Sequence, residues 1–119
     1  TSVEFELPVL ARSLERASLL THESRNNVVK MTLDVQNQLV KLQGDSPEIG
    51  NVEEEIGFKN LEGDGLTISF NPDYLREALR ASITDSIIMN FTQPLRPFTV
   101  IPAKQDVNFT QLITPVRTF

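Results

Sequence analysis

Four arginines occupy matching places in two segments of this 119-residue chain. Arg12 and Arg16 lie four positions apart, and Arg76 and Arg80 repeat that spacing 64 positions later. Side chains four residues apart share one face of a helix, so each segment would present two guanidinium groups together. Guanidinium groups bind phosphate oxygens, and such contacts carry no base-sequence information. The spacing therefore predicts a basic strip that contacts a phosphate backbone irrespective of its sequence.

A simpler alternative treats the same arginines as parts of solvated helix faces. Glu15 lies three positions after Arg12, and Asp73 lies three positions before Arg76. Oppositely charged residues at this spacing form ordinary ion pairs along a helix. One pair of arginines by itself favours this alternative, whereas a second pair on an equivalent helix favours phosphate binding.

The arginines belong to a longer repeat in which a strand precedes a helix. Both copies follow an alternating, β-like run, Val3–Leu7 in the first case and Leu66–Phe70 in the second. Each helix then carries proline in its first turn, where the missing N–H group is harmless. The residues that recur are Pro8, Arg12, Arg16, Ala17 and Ser18, matched by Pro72, Arg76, Arg80, Ala81 and Ser82. Such a duplication predicts an internally symmetric domain.

Periodicity and turn signals divide the chain into two short helices and about eight strands. Helices are expected over Pro8–Leu20 and Pro72–Ala81, and Asn71 is a suitable N-cap for the second. Gln36-Asn37 is the expected turn of a hairpin, and residues 44–51 are predicted to form a loop. The order of strand, helix and three strands occurs twice. This order predicts an α+β domain with a duplicated βαβββ unit, in which two helices pack on one face of antiparallel sheet.

Length and composition set further bounds on the protein. The length suits a single domain over residues 1–119, with an internal repeat of roughly 1–62 and 63–119. The net charge of −5 argues against a protein that holds nucleic acid by its overall charge. The absence of cysteine excludes disulfides, thiolate metal sites and cysteine nucleophiles. No apolar run approaches the ~18 residues that span a bilayer, so a cytoplasmic protein is the default expectation.

Few residues could support catalysis. His22 is the only histidine and lies in a polar segment, where an exposed loop residue is more common than a catalytic base. Glu53, Glu54 and Glu55 are consecutive, and consecutive residues of a strand point to alternate faces, so they cannot converge on one metal ion. No nucleotide-binding or nucleophile motif occurs. We therefore expect no enzymatic activity, no metal and no cofactor.

Two further features have both a structural and a functional interpretation. The acidic run Glu53–Glu55 is most simply the charged edge of a sheet, which blocks unwanted strand pairing. The alternative is a protein interface in which these carboxylates meet a basic partner. Ala17 and Leu20 continue the apolar stripe of the first helix, which leaves Leu19 pointing elsewhere. One exposed leucine is common, but beside an acidic strand it could anchor an interface.

The C-terminal segment, residues 112–119, is apolar for a chain end. It is either a last strand followed by a frayed tail or one wall of a binding groove. Pro115 prevents regular ladder pairing beyond Thr114, so the tail is expected to fold over the surface. Together with Tyr74, Leu95 and Pro97, it would then line an apolar groove for a short peptide.

An ordered set of segments resembles the C-terminal, third domain of the bacterial DNA polymerase III beta subunit, the sliding clamp family. The segments are Phe70-Asn71-Pro72-Asp73-Tyr74-Leu75, Leu95-Arg96-Pro97-Phe98, Leu112-Ile113-Thr114-Pro115-Val116-Arg117 and the helix end Arg16-Ala17-Ser18-Leu19-Leu20. The resemblance covers essentially the whole chain. It implies that three domains form one subunit and that two subunits close head-to-tail into a ring around duplex DNA. Helices would line the hole, and sheets would form the outside.

The resemblance also implies roles for individual residues. The DNA-facing residues would be Arg12, Arg16, Arg76 and Arg80. The ring-closing interface with the other subunit would contain Leu19, Leu20, Glu53, Glu54 and Glu55. A pocket for short linear peptide motifs would comprise Asn71, Tyr74, Leu95, Pro97, Leu112, Thr114, Pro115, Val116 and Arg117. Two departures affect the pocket: Thr114 stands where some relatives have methionine, and Phe119 extends two residues past Arg117.

The function implied is a non-enzymatic replication processivity factor, a homodimeric ring that tethers polymerase and clamp-loader subunits to duplex DNA. Because the family's pocket is shared with the preceding domain, this chain would hold only half of it. The alternative is a self-contained α+β module that binds peptides without touching DNA. Replacing the four arginines by glutamate separates the two hypotheses, since only a clamp would lose replication processivity while its fold stays intact.

Overall fold

The computed structural model describes residues 1–21, 27–46, 50–82, 84–103 and 111–116, which form two helices and nine strands. In chain order these are β1 (Ser2–Glu6), α1 (Leu7–Thr21), β2 (Val29–Asp34), β3 (Leu39–Ser46), β4 (Gly50–Glu55), β5 (Asn60–Glu62), β6 (Leu66–Phe70), α2 (Pro72–Ala81), β7 (Ser86–Asn90), β8 (Phe98–Pro102) and β9 (Gln111–Ile113). The duplicated order of strand, helix and three strands is present, and β5 is an additional strand at the end of the first copy.

The strands form two antiparallel sheets. One contains β5, β1, β7, β8 and β9 in that order, and the other contains β4, β3, β2 and β6. The first strand of each repeat joins the sheet of the other repeat, because β1 pairs with β7 and β6 pairs with β2. Neither repeat completes a sheet by itself, so the two copies form one interlocked domain.

Alternate strand residues point into one shared core. In β1, Val3 and Phe5 are fully buried between partly or fully exposed neighbours. The Phe98 ring lies against two others, with ring centroids 5.4 Å from Phe70 and 4.9 Å from Phe91. The helices add the buried side chains Leu10, Leu14, Ala17, Leu75, Ala78 and Leu79. Burying each large apolar side chain contributes about 1.5–3 kcal/mol, so this core fixes the helices against the sheets.

The predicted helices are confirmed. Helix α2 has the predicted bounds, and the Asn71 side chain accepts a hydrogen bond from the Asp73 backbone N–H at 2.9 Å, as an N-cap does. Helix α1 extends the prediction by one residue at each end. Its first residue, Leu7, donates its backbone N–H to the Asp85 carbonyl at 2.8 Å, which ties α1 to the segment before β7.

The prediction of a loop over residues 44–51 was wrong at residues 44–46 and 50–51, and its middle, residues 47–49, lies outside the described residues. Strand β3 continues to Ser46 and β4 begins at Gly50. Gly44 suits this strand because a Cβ at its position would lie 2.9 Å from the Thr21 methyl group at the end of α1. Glycine here marks a close approach between helix and strand. The short β5 was also missed, since its three residues carry only one buried side chain, Leu61.

The hairpin between β2 and β3 turns where the sequence predicts. The Asp34 carboxylate accepts hydrogen bonds from the Asn37 backbone N–H at 3.1 Å and from the Asn37 side-chain amide at 2.9 Å. The side-chain bond, and next the backbone bond, lower the pKa of Asp34 below its ordinary value. Gln38 completes the turn with a positive φ of 54°.

We predict that Gly63→Ala destabilises the domain. Gly63 has a φ of +105°, and a Cβ there would lie 2.7 Å from the Thr1 Cα atom. Strain of this kind costs about 1–3 kcal/mol, which urea denaturation would detect as a lower unfolding midpoint. Gly57→Ala is the matched control because a Cβ at Gly57 meets nothing within 4 Å. Equal midpoints for the two variants would contradict the prediction.

Candidate functional site

The two helices lie side by side in opposite directions. At one end, Ser18 near the close of α1 donates a hydrogen bond to the Asp73 carboxylate at the start of α2, at 2.9 Å. At the other end, the beginning of α1 and the end of α2 line one open cleft of about 250 Å³. The cleft residues are Leu7, Ala11, Glu15, Arg76, Leu79 and Arg80. Arg76 and Arg80 line this cleft between the helices, whereas Arg12 and Arg16 line a second cleft, between α1 and the end of β4, together with Glu54 and Glu55.

A polar network joins the helices at the Ser18 end. The Asp73 carboxylate also accepts a hydrogen bond from the Asn27 amide at 2.7 Å, and the buried Thr21 hydroxyl donates to the Asn27 carbonyl oxygen at 2.7 Å. Arg76 lies 3.5 Å from Asp73 and donates to the Ser18 hydroxyl at 3.3 Å. Each buried polar group of this network is thereby paired, which fixes the relative position of α1 and α2.

Sequence reasoning missed the roles of Ser18 and Asn27 in this network. A signal existed for the serine, because Ser18 follows Leu14 by four residues and therefore lies on the apolar side of α1. A buried hydroxyl on such a stripe requires a hydrogen-bond partner. Asn27 carries no comparable signal, since its partners Thr21 and Asp73 are brought to it by folding.

The four arginines differ in what they contact. Arg16 forms an ion pair with Glu54 through two guanidinium nitrogens and also donates to the Ser13 hydroxyl at 3.4 Å. The hydrogen bond from Arg16 to Glu54, reinforced by the charge of that carboxylate, raises the pKa of Arg16 above its ordinary value. Arg12 donates from Nε to the Pro8 carbonyl of its own helix at 3.3 Å, although the solvated-face alternative paired it with Glu15. The other expected pair, between Asp73 and Arg76, is present.

The three glutamates of β4 point to both faces of their sheet, as the sequence predicts. Glu54 is the cross-strand neighbour of the buried Leu42 in β3, and its carboxylate accepts hydrogen bonds from Arg16 and Ser13 on α1. Glu53 lies on the opposite face, with its carboxylate 3.4 Å from the Lys41 ammonium group. In the described part of the chain, β4 pairs only with β3, so its outer edge is open. The glutamates thus provide one contact with the helix and a charged outer face.

The side chains at the end of α1 have the predicted orientations. Ala17 is buried and Leu20 is partly buried, whereas Leu19 is 75% exposed. Leu19 lies nearly one helical turn beyond Arg16, the residue that contacts β4 through Glu54. The exposed leucine and the open strand edge therefore belong to the same flank of the domain.

The predicted peptide groove is assembled from three segments. Strand β9 pairs with β8 so that Ile113 is opposite Phe98. Beyond β9, the Val116 backbone N–H donates to the Ser69 carbonyl at 2.7 Å, which carries the tail across to β6 in the other sheet. Asn71, directly after β6, is the N-cap of α2. The tail, the start of α2 and the loop before β8 therefore meet at one end of the core.

The apolar side chains of this groove are exposed. Tyr74, Leu95 and Leu112 are 56%, 58% and 66% exposed, and with Leu19 they are the large exposed hydrophobic residues of the described chain. Thr114 is exposed, and Pro115 and Val116 are partly buried. Pro97 is exposed beside Phe98, Asn71 is partly buried, and Arg117 lies outside the described residues. Exposed aromatic and aliphatic groups on segments that meet at one end of a domain are typical of a protein interaction site.

Within the described residues, no three histidine, cysteine or acidic side chains lie close enough to hold a metal ion. His22 falls outside the described residues. Neither described helix has the length and apolar character required to cross a membrane.

Comparison with known proteins identifies similar chains. The family model described as DNA polymerase III beta subunit, C-terminal domain, matches residues 1–117. The chain is 43% identical over 118 residues to the beta sliding clamp of Streptococcus pneumoniae, a match that covers 99% of this chain and 31% of that protein. It is 45% identical over 107 residues to the beta sliding clamp of Staphylococcus epidermidis, covering 90% of this chain and 28% of that protein.

Solved structures agree with these matches. The DNA polymerase III beta chain of Streptococcus pneumoniae superposes with a TM-score of 0.92 and 42% identity, over 98% of this chain and 30% of that chain. The DNA polymerase sliding clamp of Bacillus subtilis superposes with a TM-score of 0.89 and 37% identity, over 99% of this chain and 30% of that chain. The chain spans just under a third of the length of these relatives. The α+β fold with its two packed helices is thereby confirmed.

We predict that Asp73→Ala loosens the pair of helices. The substitution leaves Ser18, Asn27 and Arg76 without their carboxylate partner. Loss of a shared acceptor for buried donors should lower the free energy of unfolding by about 1–3 kcal/mol, measured by urea denaturation. Glu77→Ala is the matched control, since Glu77 is exposed on the same helix. If both variants unfolded at the wild-type midpoint, the network would not stabilise the helices.

Proposed function

Because the chain belongs to the family of the DNA polymerase III beta subunit, of which it represents the C-terminal domain, we propose that it acts as part of a sliding clamp. The family membership confirms the resemblance present in the sequence. The clamp is a non-catalytic processivity factor that encircles duplex DNA and tethers DNA polymerase to it. Its partners are duplex DNA, bound without regard to sequence, and polymerase and clamp-loader subunits, bound through short linear peptide motifs.

The observation that carries this proposal is the separation of two surfaces on one rigid domain. Arg76 and Arg80 line the cleft between the helices, and Arg12 and Arg16 line the cleft beside β4. The exposed Tyr74, Leu95 and Leu112 lie on the start of α2, the loop before β8 and strand β9. A basic helix surface suits contact with phosphates. An exposed apolar groove suits a peptide with hydrophobic anchors. Two such surfaces allow one protein to hold DNA and a partner protein at the same time.

The exposed Leu19 and the unpaired outer edge of β4 support a ring arrangement. Strand β4 has no neighbour on its outer side among the described residues, and Leu19 is exposed nearby on α1. An unpaired edge and an adjacent apolar side chain favour association with another chain. We assign Leu19, Leu20 and the glutamates Glu53, Glu54 and Glu55 to the contact that closes the ring between two identical subunits.

The peptide groove comprises the pocket residues named from the sequence, Asn71, Tyr74, Leu95, Pro97, Leu112, Thr114, Pro115, Val116 and Arg117. Tyr74 is the large exposed hydrophobic residue of α2, and Pro115 precedes Val116, whose backbone N–H binds the Ser69 carbonyl shortly before α2 begins. Aromatic residues at the centre of an interface commonly provide most of its binding energy. The groove should therefore depend strongly on a few of its residues.

We predict that Tyr74→Ala and Pro115→Ala each weaken binding of a clamp-binding peptide by about tenfold or more, because each removes an anchor or the wall that holds it. The measurement is titration of a fluorescent peptide into the full-length subunit. Leu19→Ala is the control, since Leu19 is also apolar and exposed but is not among the residues assigned to the pocket. Unchanged affinity in both groove variants would overturn the pocket assignment.

We also predict that Leu19→Ala weakens the ring. Removal of an exposed leucine that becomes buried between subunits should raise the dimer dissociation constant about tenfold or more, as measured by analytical ultracentrifugation. Leu112→Ala is the reciprocal control, because Leu112 is 66% exposed against 75% for Leu19. The interface assignment fails if the dimer dissociates equally in wild type and Leu19→Ala.

A further inference from the structure

We infer that the four helix arginines have two different roles. Arg12 and Arg80 supply the charge that contacts DNA, whereas Arg16 and Arg76 are positioning residues, each neutralised by a carboxylate of the same domain. The inference rests on the proposed function, since it concerns which of the DNA-facing residues bind phosphate. The internal repeat places Arg12 at the position of Arg76, and Arg16 at the position of Arg80. Each of these equivalent pairs therefore contains one arginine of each role.

Arg16 is held between α1 and β4. Its Nε lies 3.3 Å from one oxygen of Glu54, its terminal nitrogen binds the other oxygen, and the Ser13 hydroxyl accepts from the same nitrogen. This two-point contact fits the planar guanidinium to the planar carboxylate. It joins residues 38 positions apart and so ties the helix to the open edge strand.

Arg76 is held between α1 and α2. Its guanidinium lies 3.5 Å from the Asp73 carboxylate and donates to the Ser18 hydroxyl at 3.3 Å. Its side chain is only 29% exposed. The same Ser18 hydroxyl donates to Asp73, so the three groups form a closed set in which the charge of Arg76 is balanced by Asp73.

Arg12 and Arg80 have no carboxylate partner within 4 Å among the described residues, and both are exposed. Arg12 donates one hydrogen bond to the Pro8 carbonyl of its own helix. It lines a cleft with Glu54 and Glu55 but, within the described residues, forms an ion pair with neither. Arg80 is at the last turn of α2 and lines the cleft with Leu7 and Glu15, without an ion pair to Glu15. Because the helices are antiparallel, Arg12 and Arg80 both lie farther along them from the Ser18–Asp73 contact than Arg16 and Arg76 do.

The charge balance decides what each arginine offers to DNA. A carboxylate beside a guanidinium repels the phosphate that the guanidinium attracts, so the ion pair presents little net charge. An unpaired guanidinium attracts phosphate and displaces a counterion when it binds, and each phosphate contact adds about 0.9 to the slope of log K against log salt concentration. The salt slope therefore counts the arginines that contact phosphate.

The test is the salt dependence of DNA binding by the full-length subunit, measured by fluorescence anisotropy on a labelled primer–template duplex. Arg12→Ala and Arg80→Ala should each reduce the slope by about 0.9 for every phosphate that the arginine binds in the wild type. Arg16→Ala and Arg76→Ala should leave the slope at its wild-type value. Slopes that fall equally in all four variants would overturn the division of roles while leaving the DNA-facing assignment intact.

A second variant tests the neutralisation directly and does not depend on removing an arginine. Glu54→Gln keeps the shape of the side chain but removes its charge, so Arg16 becomes available and the slope should rise by up to about 0.9. The rise should disappear in the double variant Glu54→Gln, Arg16→Ala. A rise that persists in the double variant, or no rise in either, would overturn the role given to Glu54.

A variant without any of the four arginines separates the assignment of DNA contacts to the helices from the division of roles among the arginines. If the variant with all four arginines replaced by alanine kept the wild-type slope while still binding peptide, the helices would not face DNA, and the assignment of DNA contacts would fall with this inference. Binding of the labelled peptide shows that each variant retains its fold, because the groove is built on α2 and the sheets.

Discussion

The structure depends on the exchange of first strands between its two repeats. Val3 and Phe5 of β1 are buried in a sheet that consists largely of second-repeat strands, and β6 closes the sheet of the first repeat. By itself, the second repeat would leave β6 unpaired, and the first would leave β1 paired only with the three residues of β5, at a cost in buried area and backbone hydrogen bonds. The exchange therefore makes the domain one cooperative unit and sets α1 and α2, which follow β1 and β6, side by side in opposite directions.

The antiparallel helices occupy matching places in the two repeats but differ in length, 15 residues against 10, and in the contacts of their side chains. At one end of the pair, Ser18, Asn27 and Asp73 form hydrogen bonds between the helices, whereas at the other end the helices leave an open cleft. The Ser82 hydroxyl, at the repeat position of Ser18, instead donates to the Ala78 carbonyl of its own helix. One end is thus fixed and the other is left accessible, although the two derive from the same repeated sequence.

Local signals in the sequence predicted local structure well. The bounds of α2, its Asn71 cap and the turn at Gln36-Asn37 follow from residues close to one another in the chain. Features that depend on distant partners were missed: Gly44 lies in a strand that Thr21 approaches closely, and Arg16 is paired because folding brings Glu54 to it. For the candidate site, the residues on each surface could be proposed from their types, but the charge balance of each contact required the fold.

Intramolecular pairing of arginines also reconciles an acidic domain with a surface proposed to lie against DNA. The chain carries a net charge of −5, and two of its helix arginines are neutralised by Glu54 and Asp73. Tight binding to phosphates would require many unpaired cations, each of which adds to the affinity by releasing counterions from the duplex. A ring that encloses DNA is retained by its topology. A weak electrostatic attraction from a few unpaired arginines is therefore sufficient to keep its helices near the phosphates. In the proposed clamp, Glu54 and Asp73 would limit the hold on DNA, while Glu54 ties α1 to β4 and Asp73 ties α1 to α2.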